Sequence, residues 1–305
     1  MRTVIFDRFG GPEVLQLIEV PPPTAGPGQV RVRVIIAGLN PVDWKIFTGG
    51  RSAARYGVTM PSGNGNDFAG VIDEVGRGVV GLQAGDHVFG GSRMFAQADF
   101  LLIEADKVLP IPVGLDVERA GALDIAGRTA WAAVRSLGLG ASDTVLVSAA
   151  AGGVGVLTAQ LARRTGATVI GTASEANHEF LRKLGVIPVA YGEGLVDRVR
   201  EVAPGGVTAV LDQHGPETID AALELGVPGP RINTIAAKTY RPDLGIGTVG
   251  GFQASRADLA EVARLVASGE LILPLDSVYP IERVRDAYKH LMAGHLRGKV
   301  VLATE

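Results

Sequence analysis

The residues best suited to chemistry in this sequence form a glycine-rich stretch, AAAGGVG (149–155). It follows the apolar run TVLVSA (144–149) and leads into VGVLTAQLARRTG (154–166), which has helical periodicity. A helix N-terminus has unpaired N–H groups and a partial positive charge, which suit a phosphate. Glycine also lets the backbone approach a pyrophosphate closely. The alternative is a tight β–α turn that binds nothing. The residues expected to bind a dinucleotide here are Ala150, Gly152, Gly153, Val154 and Gly155.

The end of the next apolar run, ATVIGTA (167–173), indicates which dinucleotide is bound. Folds that bind NAD place an acidic residue there for the ribose 2′-hydroxyl. Here the chain has Thr172 and Ser174, and His178 follows. Two hydroxyls and an imidazole can surround a 2′-phosphate, so the pattern predicts NADPH, although Glu175 weakens it. The alternative is that Ser174 caps the following helix and His178 lies on the surface.

Composition restricts the class of protein. The chain has 305 residues, a formal net charge of −3 and no cysteine. There is no basic field to recruit nucleic acid or an anionic membrane, so neither is an expected partner. Without cysteine, disulfides and thiolate zinc sites are impossible, which suits a reducing compartment. No long stretch is free of charge and turn residues, so we expect no membrane span and a cytoplasmic location.

Two kinds of element must position these residues. Up to about residue 120, short strand patterns such as VRVRV (30–34) and GVIDEVG (70–76) alternate with proline and glycine, which is typical of an antiparallel barrel. Beyond that, apolar runs alternate with helices, which is typical of a parallel sheet covered on both faces. The sequence therefore predicts an α/β fold. Its expected parts are a barrel domain (1–120), a doubly wound cofactor domain (121–249) and a tail (250–305) that rejoins the barrel.

Several blocks in order carry a resemblance to a known family. They include GGPEVLQL, AGLNPVDWK, GNDFAGVIDEVG, AGRTAW, AAAGGVG and GHLRGKVVL. The sequence resembles the zinc-independent medium-chain dehydrogenase/reductases, in the quinone oxidoreductase-like (zeta-crystallin-like) branch. That resemblance implies a GroES-like β-barrel catalytic domain and a Rossmann-type cofactor domain. It also implies NADPH, quinone or enone substrates, and a homodimer.

The zinc-dependent branch of the family has a Cys in the block AGLN, a His in the block GND and a third ligand before the TA motif. This chain has Asn40, Asn66 and Ala126 near those places. These residues do not form a competent zinc site, so we expect no metal.

By resemblance, Asn40 and Thr129 lie against the nicotinamide. Asp43 and Lys45 share the first of these blocks and are candidates to relay or donate a proton. The alternatives are a turn or cap role for Asp43 and a solvated surface charge for Lys45.

Further candidates stand at strand ends. Tyr191 matches a family tyrosine near the adenosine. Arg128 and His214 replace an apolar and a small residue of the family, and their roles stay open. Two small-residue segments are expected near the nicotinamide side, namely Ile235, Ala236 and Ala237, and Val249, Gly250 and Gly251.

The function that these residues favour is an NADPH-dependent, metal-independent reductase of quinones or α,β-unsaturated carbonyls. An enoyl-thioester reductase uses the same cofactor geometry and is the first alternative. A non-catalytic NADPH-binding sensor or interaction protein is the second.

Overall fold

The computed structural model describes residues 1–305 and contains fifteen strands and ten α-helices. The strands are β1 (Arg2–Phe6), β2 (Gln16–Glu19), β3 (Gln29–Gly38), β4 (Ser62–Gly63), β5 (Asp67–Val75), β6 (His87–Gly91), β7 (Phe100–Glu104), β8 (Leu109–Pro110), β9 (Thr144–Val147), β10 (Thr168–Thr172), β11 (Ile187–Val189), β12 (Ala209–Asp212), β13 (Ile232–Thr234), β14 (Leu275–Pro280) and β15 (Lys299–Ala303). The helices are α1 (Pro41–Phe47), α2 (Gly50–Tyr56), α3 (Val117–Ala120), α4 (Asp124–Ser136), α5 (Gly153–Arg164), α6 (His178–Lys183), α7 (Leu195–Val202), α8 (Pro216–Glu224), α9 (Arg256–Ala267) and α10 (Val284–Ala293).

The chain divides into two units. Unit 1 comprises residues 1–125, 274–294 and 299–305, and unit 2 comprises residues 126–273 and 295–298. The sequence analysis expected boundaries at 120/121 and 249/250. In the structure, residues 250–273 belong to the cofactor unit and not to the tail. The reason is that this segment bonds within unit 2. Arg135 pairs with Asp258 of α9, and Gln160 exchanges hydrogen bonds with the backbone of Ile272.

Unit 1 is built on antiparallel strands. A seven-stranded sheet has the order β14-β15-β3-β5-β6-β8, with β7 also paired to β3, and a three-stranded sheet has the order β2-β1-β4. The last strand, β15, runs antiparallel to β3, with Leu302 opposite Ala37. The tail therefore completes the sheet of the N-terminal segment. The one parallel pair, β14 with β15, departs from a purely antiparallel barrel.

The core of unit 1 is aromatic. Phe6, Phe47 and Tyr288 are fully buried, and the Phe47 and Tyr288 rings meet edge to face with centroids 5.0 Å apart. Such pairs stabilise beyond the area that they bury. Tyr288 lies on α10, so this contact also holds the C-terminal helix to α1.

Unit 2 has the expected parallel sheet. Its five strands have the order β11-β10-β9-β12-β13, and every pair is parallel. The strands are buried along nearly their whole length, which requires cover on both faces. The core between sheet and helices is aliphatic, including Leu146, Ile170 and Val210. The α/β prediction is confirmed.

None of the ten helices combines the length and the apolar character that a membrane crossing requires.

Candidate functional site

The glycine-rich stretch forms the turn between β9 and α5. Gly152 is the N-cap residue of the helix, and no side chain caps it. The N–H groups of the first helical turn are therefore left for a ligand. A Cβ added to Gly155 would lie 2.0 Å from the carbonyl oxygen of Ala149, so only glycine allows the helix to approach the turn this closely. These features fit a dinucleotide pyrophosphate.

Strain is concentrated just before this turn. Ala149 has a φ of +48°, a left-handed conformation that residues with a Cβ rarely adopt. Thr172 holds it there, because its Oγ1 accepts a hydrogen bond from Ala149 N (3.1 Å) and its carbonyl accepts one from Ala150 N (2.9 Å). Thr172 is buried. Its position at the end of β10 is as expected, but its hydroxyl oxygen already bonds to the turn.

Ser174 and His178 lie beyond the same strand end. Ser174 precedes a short 3-10 helix and caps none of its N–H groups with its side chain. Its Oγ accepts a bond of 3.3 Å from Asn177 Nδ2, and His178 Nε2 lies 3.3 Å from Ala173 O. Both side chains are partly exposed. The capping alternative for Ser174 is therefore wrong, whereas its hydroxyl remains a candidate to bind the phosphate.

The sequence analysis did not single out Arg297, which the structure brings to this strand end. Its Nε donates to Asn177 Oδ1 (2.8 Å) and its Nη2 to Ala176 O (3.2 Å). Its guanidinium also lies 5.1 Å from the centre of the Phe180 ring. The only signal was a basic residue in the block GHLRGKVVL. About 120 residues separate it from the strand end, so no local pattern could pair them.

Tyr191 pairs with a second residue of the same C-terminal segment. Its Oη lies 2.9 Å from His295 Nδ1, and the two rings stack with centroids 6.3 Å apart. Tyr191 remains 45% exposed. His295 has a φ of +61°, so this segment is held in a strained turn.

Asp212 joins the ends of β9, β12 and β13. It is buried and accepts hydrogen bonds from Ser148 Oγ (2.9 Å) and Thr234 Oγ1 (2.6 Å). It also accepts from the backbone N–H of His214 and of Gly215. A carboxylate with four donors is well satisfied, so it fixes the sheet edge where ligands bind in this kind of fold.

The two small-residue segments are tied to this edge by their amides. Thr234 Oγ1 accepts from Ala236 N and Ala237 N, and Ile235 N donates to Asp212 O. Asn233 bonds both backbone groups of Val249. Most of their carbonyl oxygens also accept hydrogen bonds within the chain, including those of Ala237, Val249 and Gly250, so what these segments offer a ligand is close approach along a small-residue backbone.

Thr129 and Arg128, two residues of α4 that the resemblance singled out, lie beside residues 249–251. A Cβ on Gly251 would lie 3.0 Å from Thr129 Oγ1, and Gly250 N donates to Gln253. Arg128, one position earlier on α4, donates to Ala254 O (2.8 Å). The structure therefore brings Thr129 and Gly251 together.

In unit 1, five polar side chains share one buried cluster, each at most 4% exposed: Asn40, Asp43, Asn66, Asp67 and Lys299. The cluster lies where α1 begins after β3. Lys299 Nζ donates to Leu39 O (2.8 Å) and to Asn40 Oδ1, and it pairs with Asp67 Oδ2 at 3.4 Å. Because an ammonium only donates, the amide of Asn40 must turn its oxygen to Lys299.

The other end of that amide has no normal hydrogen bond. Asn40 Nδ2 is buried and has no partner of hydrogen-bond geometry, although the amide helps to offset the burial that raises the pKa of Asp67. A buried donor without an acceptor destabilises a fold and is uncommon. Asn40 Nδ2 therefore makes no hydrogen bond of normal geometry, and the group that its amide stabilises is the Asp67 carboxylate.

Asp43 is the third acid of interest. Its Oδ2 accepts from Asn40 N (2.8 Å), which completes the first turn of α1, and its Oδ1 accepts from Asn66 Nδ2. Burial raises its pKa to about 7, although the hydrogen bond from Asn66 acts in the opposite direction and lowers the pKa. Burial and the nearby Asp43 carboxylate also raise the pKa of Tyr288 well above its ordinary value. Asp43 thus has the cap role that was weighed for it and a pKa near neutrality.

Lys45 and Tyr56 lie on the two helices that follow β3 in unit 1. Lys45 is partly exposed, with Nζ 5.6 Å from the centre of the Trp44 ring. Tyr56, at the end of α2, escaped the sequence analysis. Burial raises its pKa to about 12, and the Arg93 guanidinium lies 4.8 Å from its ring centre.

No group of three or more His, Cys, Asp or Glu side chains that could hold a metal is formed anywhere in residues 1–305. At the three positions of the zinc ligands stand two amides and a methyl group, which lack the charge and donor strength of a Zn²⁺ site.

Comparison with known proteins places this geometry among dehydrogenases. Residues 26–113 match the alcohol dehydrogenase GroES-like domain, and residues 184–302 match a model described as zinc-binding dehydrogenase. The chain is 32% identical to the human synaptic vesicle membrane protein VAT-1 homolog, over 99% of this chain and 86% of that protein. It is 30% identical to rat quinone oxidoreductase, over 98% and 96%. Escherichia coli quinone oxidoreductase, solved in complex with NADPH, has a TM-score of 0.87 and 26% identity over 99% and 100% of the two chains.

Proposed function

Because the chain belongs to the medium-chain dehydrogenase/reductase family, in its zinc-independent, quinone oxidoreductase-like branch, we propose that it is an NADPH-dependent, metal-independent reductase of quinones or α,β-unsaturated carbonyls. The observation that carries this proposal is the uncapped N-terminus of α5 behind the turn at Gly152 and Gly153. That the chain is an oxidoreductase of this family follows from the comparisons, whereas the cofactor and substrate are proposed.

The bound nicotinamide would supply the reducing equivalents. The chain's own contribution begins at the turn, where the N–H groups of Gly153, Val154 and Gly155 would hold the pyrophosphate. Residues 235–237, residues 249–251 and the hydroxyl of Thr129 would border the nicotinamide. Their positions are fixed by Asp212, Asn233 and Thr234, so they need little reorganisation on binding.

Preference for NADPH over NADH is supported by the residues after β10. Ser174 and His178 stand there, the Glu175 carboxylate between them is exposed, and Arg297 adds a guanidinium. A guanidinium and a hydroxyl donate to phosphate oxygens, and the charged contacts are the stronger ones. Thr172 contributes by holding the turn rather than by touching the phosphate. Tyr191 would stand beside the adenosine.

In unit 1, Asn40 and Asp43 are the residues proposed to act on the substrate side. The Nδ2 of Asn40, which makes no hydrogen bond of normal geometry, would donate to a ligand oxygen, which steadies negative charge as it develops there. Asp43, with a pKa of about 7, populates both its protonated and its ionised form at neutral pH and would serve as a proton reservoir. Lys45, partly exposed on the same helix, would donate a proton from the solvent side.

The deciding experiment measures NADPH and NADH oxidation by the purified protein with a panel of quinones, enones and enoyl thioesters, before and after exhaustive chelation. We expect turnover of quinones or enones with NADPH, undiminished by the chelator. Turnover of enoyl thioesters alone would favour the thioester reductase. Tight NADPH binding with no turnover would favour the sensor. Light scattering of the same sample tests the proposed homodimer.

Ala substitutions at Asn40 and Thr129 test their proposed roles within that reaction. If these side chains orient the reacting groups, each variant loses more in kcat than in NADPH affinity. We expect kcat to fall by about 10- to 100-fold, the loss typical of a positioned hydrogen bond of about 1.5–3 kcal/mol. Equal losses in affinity and rate would instead indicate simple cofactor binding.

A further inference from the structure

Gln213 carries a carboxamide that the folded chain does not use. Both Oε1 and Nε2 are buried, and neither has a hydrogen-bond partner; it is the only side chain with two such atoms. Leaving a buried amide without hydrogen bonds destabilises the folded state, so proteins rarely retain one without a use.

The position of Gln213 suggests what that use is. It follows Asp212, the last residue of β12, and its N–H donates to Ser148 Oγ (2.7 Å) directly after β9. The chain runs from β9 to β10 and β11 on one side of the sheet, whereas β12 and β13 lie on the other. The strand order therefore reverses between β9 and β12. In open parallel sheets a ligand binds outside the carboxyl ends of the strands at this reversal.

The local backbone does not need the amide. Asp212 already accepts from the N–H groups of His214 and Gly215, and Ser148 and Thr234 fill its remaining acceptor sites. The turn after β12 is thus closed by hydrogen bonds that leave the Gln213 side chain out. A purely structural role would require at least one bond from this side chain to the chain around it.

The chemistry of the amide selects one part of the dinucleotide. A phosphate offers only acceptors and would leave Oε1 facing negative charge, whereas a ribose diol both donates and accepts. The pyrophosphate belongs to the N-terminus of α5 after β9, and the adenosine ribose to the end of β10. Gln213 lies on the opposite side of β9 from β10. We propose that Gln213 binds the ribose hydroxyls of the nicotinamide half of the cofactor, an inference that rests on the proposed function.

The test is the nearly isosteric variant Gln213→Met. This variant should be more stable than the wild type without nucleotide, yet bind NADPH more weakly. Without nucleotide, its unfolding temperature should rise by about 2–4 °C, because the unpaired amide is gone. Its Kd for NADPH should rise by about 10- to 100-fold, the effect of two lost hydrogen bonds. Binding of reduced nicotinamide mononucleotide should weaken likewise, and binding of 2′,5′-ADP should stay within about twofold of the wild type.

Gln160→Met is the matched control in the same unit. Gln160 is also buried, but its amide is fully bonded, donating to Val156 O and Ile272 O and accepting from Ile272 N. This variant should unfold at a lower temperature and keep its NADPH affinity. The unfolding temperature should therefore rise for Gln213→Met and fall for Gln160→Met. The Kd for NADPH should rise only for Gln213→Met.

The proposal is overturned if Gln213→Met leaves NADPH affinity unchanged, lowers the unfolding temperature, or weakens 2′,5′-ADP as much as the nicotinamide fragment. Failure of the proposed function is a separate result. A wild-type protein that binds NADPH but oxidises it with no substrate of the panel would refute the reductase and leave the Gln213 measurements valid. A wild-type protein that binds neither cofactor refutes both.

Discussion

At the residue scale, the proposed preference for NADPH depends on the residues after the end of β10. Ser174 and His178 occupy that strand end by sequence, and Arg297 reaches it only in the folded chain. A local pattern reveals that no acidic residue stands at the end of the strand itself, where Thr172 is found, although Glu175 follows three residues later. It does not reveal the guanidinium, which comes from the far end of the chain.

Arg297→Met should therefore raise the Kd for NADPH by about 10- to 150-fold, the value of one hydrogen bond to a charged group, and change the Kd for NADH by less than about threefold. Ser174→Ala should act in the same direction with a smaller effect. Titration of intrinsic fluorescence with each cofactor measures both. Arg182→Met, an exposed arginine of α6, is the control and should change neither Kd. Equal weakening of NADH would contradict the assignment.

The pKa of Asp43 makes a second prediction at this scale. Its value in the folded chain, about 7, lies above the ordinary 3.8 because the side chain is buried. The folded state then holds the proton more tightly than the unfolded state. The stabilisation is fully present below about pH 4 and is lost as pH rises through about 7. The whole change is on the order of 4 kcal/mol.

Asp43→Asn should remove this dependence, since the amide does not titrate. Chemical denaturation at half-unit steps from pH 5 to pH 8 compares the two proteins, and their free energies of unfolding should diverge in slope below about pH 7. Asp106→Asn, an exposed carboxylate of the same unit, should leave the wild-type slope intact. Parallel curves for wild type and Asp43→Asn would show that the carboxylate stays ionised when buried.

At the scale of elements, the turn between β9 and α5 requires glycine at position 155 because the helix backbone lies very close to Ala149 there, and not because the turn is flexible. Gly155→Ala would place a methyl group 2.0 Å from Ala149 O, against backbone that cannot yield. The free energy of unfolding should fall by about 2 kcal/mol or more, and NADPH affinity should fall with it because α5 is displaced. Calorimetry and cofactor titration measure the two effects. Gly205→Ala has open space around its Cβ and should change neither.

Gly153→Val separates binding from folding at the same turn. Gly153 is the first residue of α5, where a branched side chain would occupy the position of the pyrophosphate. We expect a large loss of NADPH affinity with an unchanged circular dichroism spectrum. A variant that binds NADPH normally would mean that the turn is only structural.

Helices and strands were easier to predict than the long-range side-chain contacts between them. The runs at 144–149 and 167–173 became β9 and β10 because consecutive apolar residues leave few alternatives. The extent of unit 2 was harder, since α9 joins it through side chains such as Asp258 that carry no signal in the sequence. In the site, the glycine turn follows from spacing alone. The unpartnered amide of Gln213 could not be foreseen, because an absent bond exists only in three dimensions.

At the scale of the whole molecule, distant segments of the chain meet in the buried cluster of unit 1. Lys299 contacts Asn40, 259 residues earlier, and pairs with Asp67. Lys299→Met would leave Asp67 buried without its counter-charge, which should cost about 3–5 kcal/mol in the free energy of unfolding. Combining it with Asp67→Leu should recover at least half of that loss, because no unpaired charge remains. Urea denaturation of the wild type and the two variants measures the effect, and a double variant no more stable than the single one would argue against the ion pair.

The late position of β15 also has a consequence for synthesis on the ribosome. β3 emerges early, but one of its partner strands, Lys299–Ala303, follows more than 260 residues later. Until then the last three residues of β3, Ile36 to Gly38, keep an unpaired edge and Asp67 lacks its cation, whereas unit 2 is nearly complete once residue 273 has emerged. The cofactor unit should therefore fold first, although it is encoded second. A nascent chain stopped after residue 125 should be the species that chaperones hold longest, because β15, which pairs with the end of β3, has not been synthesised.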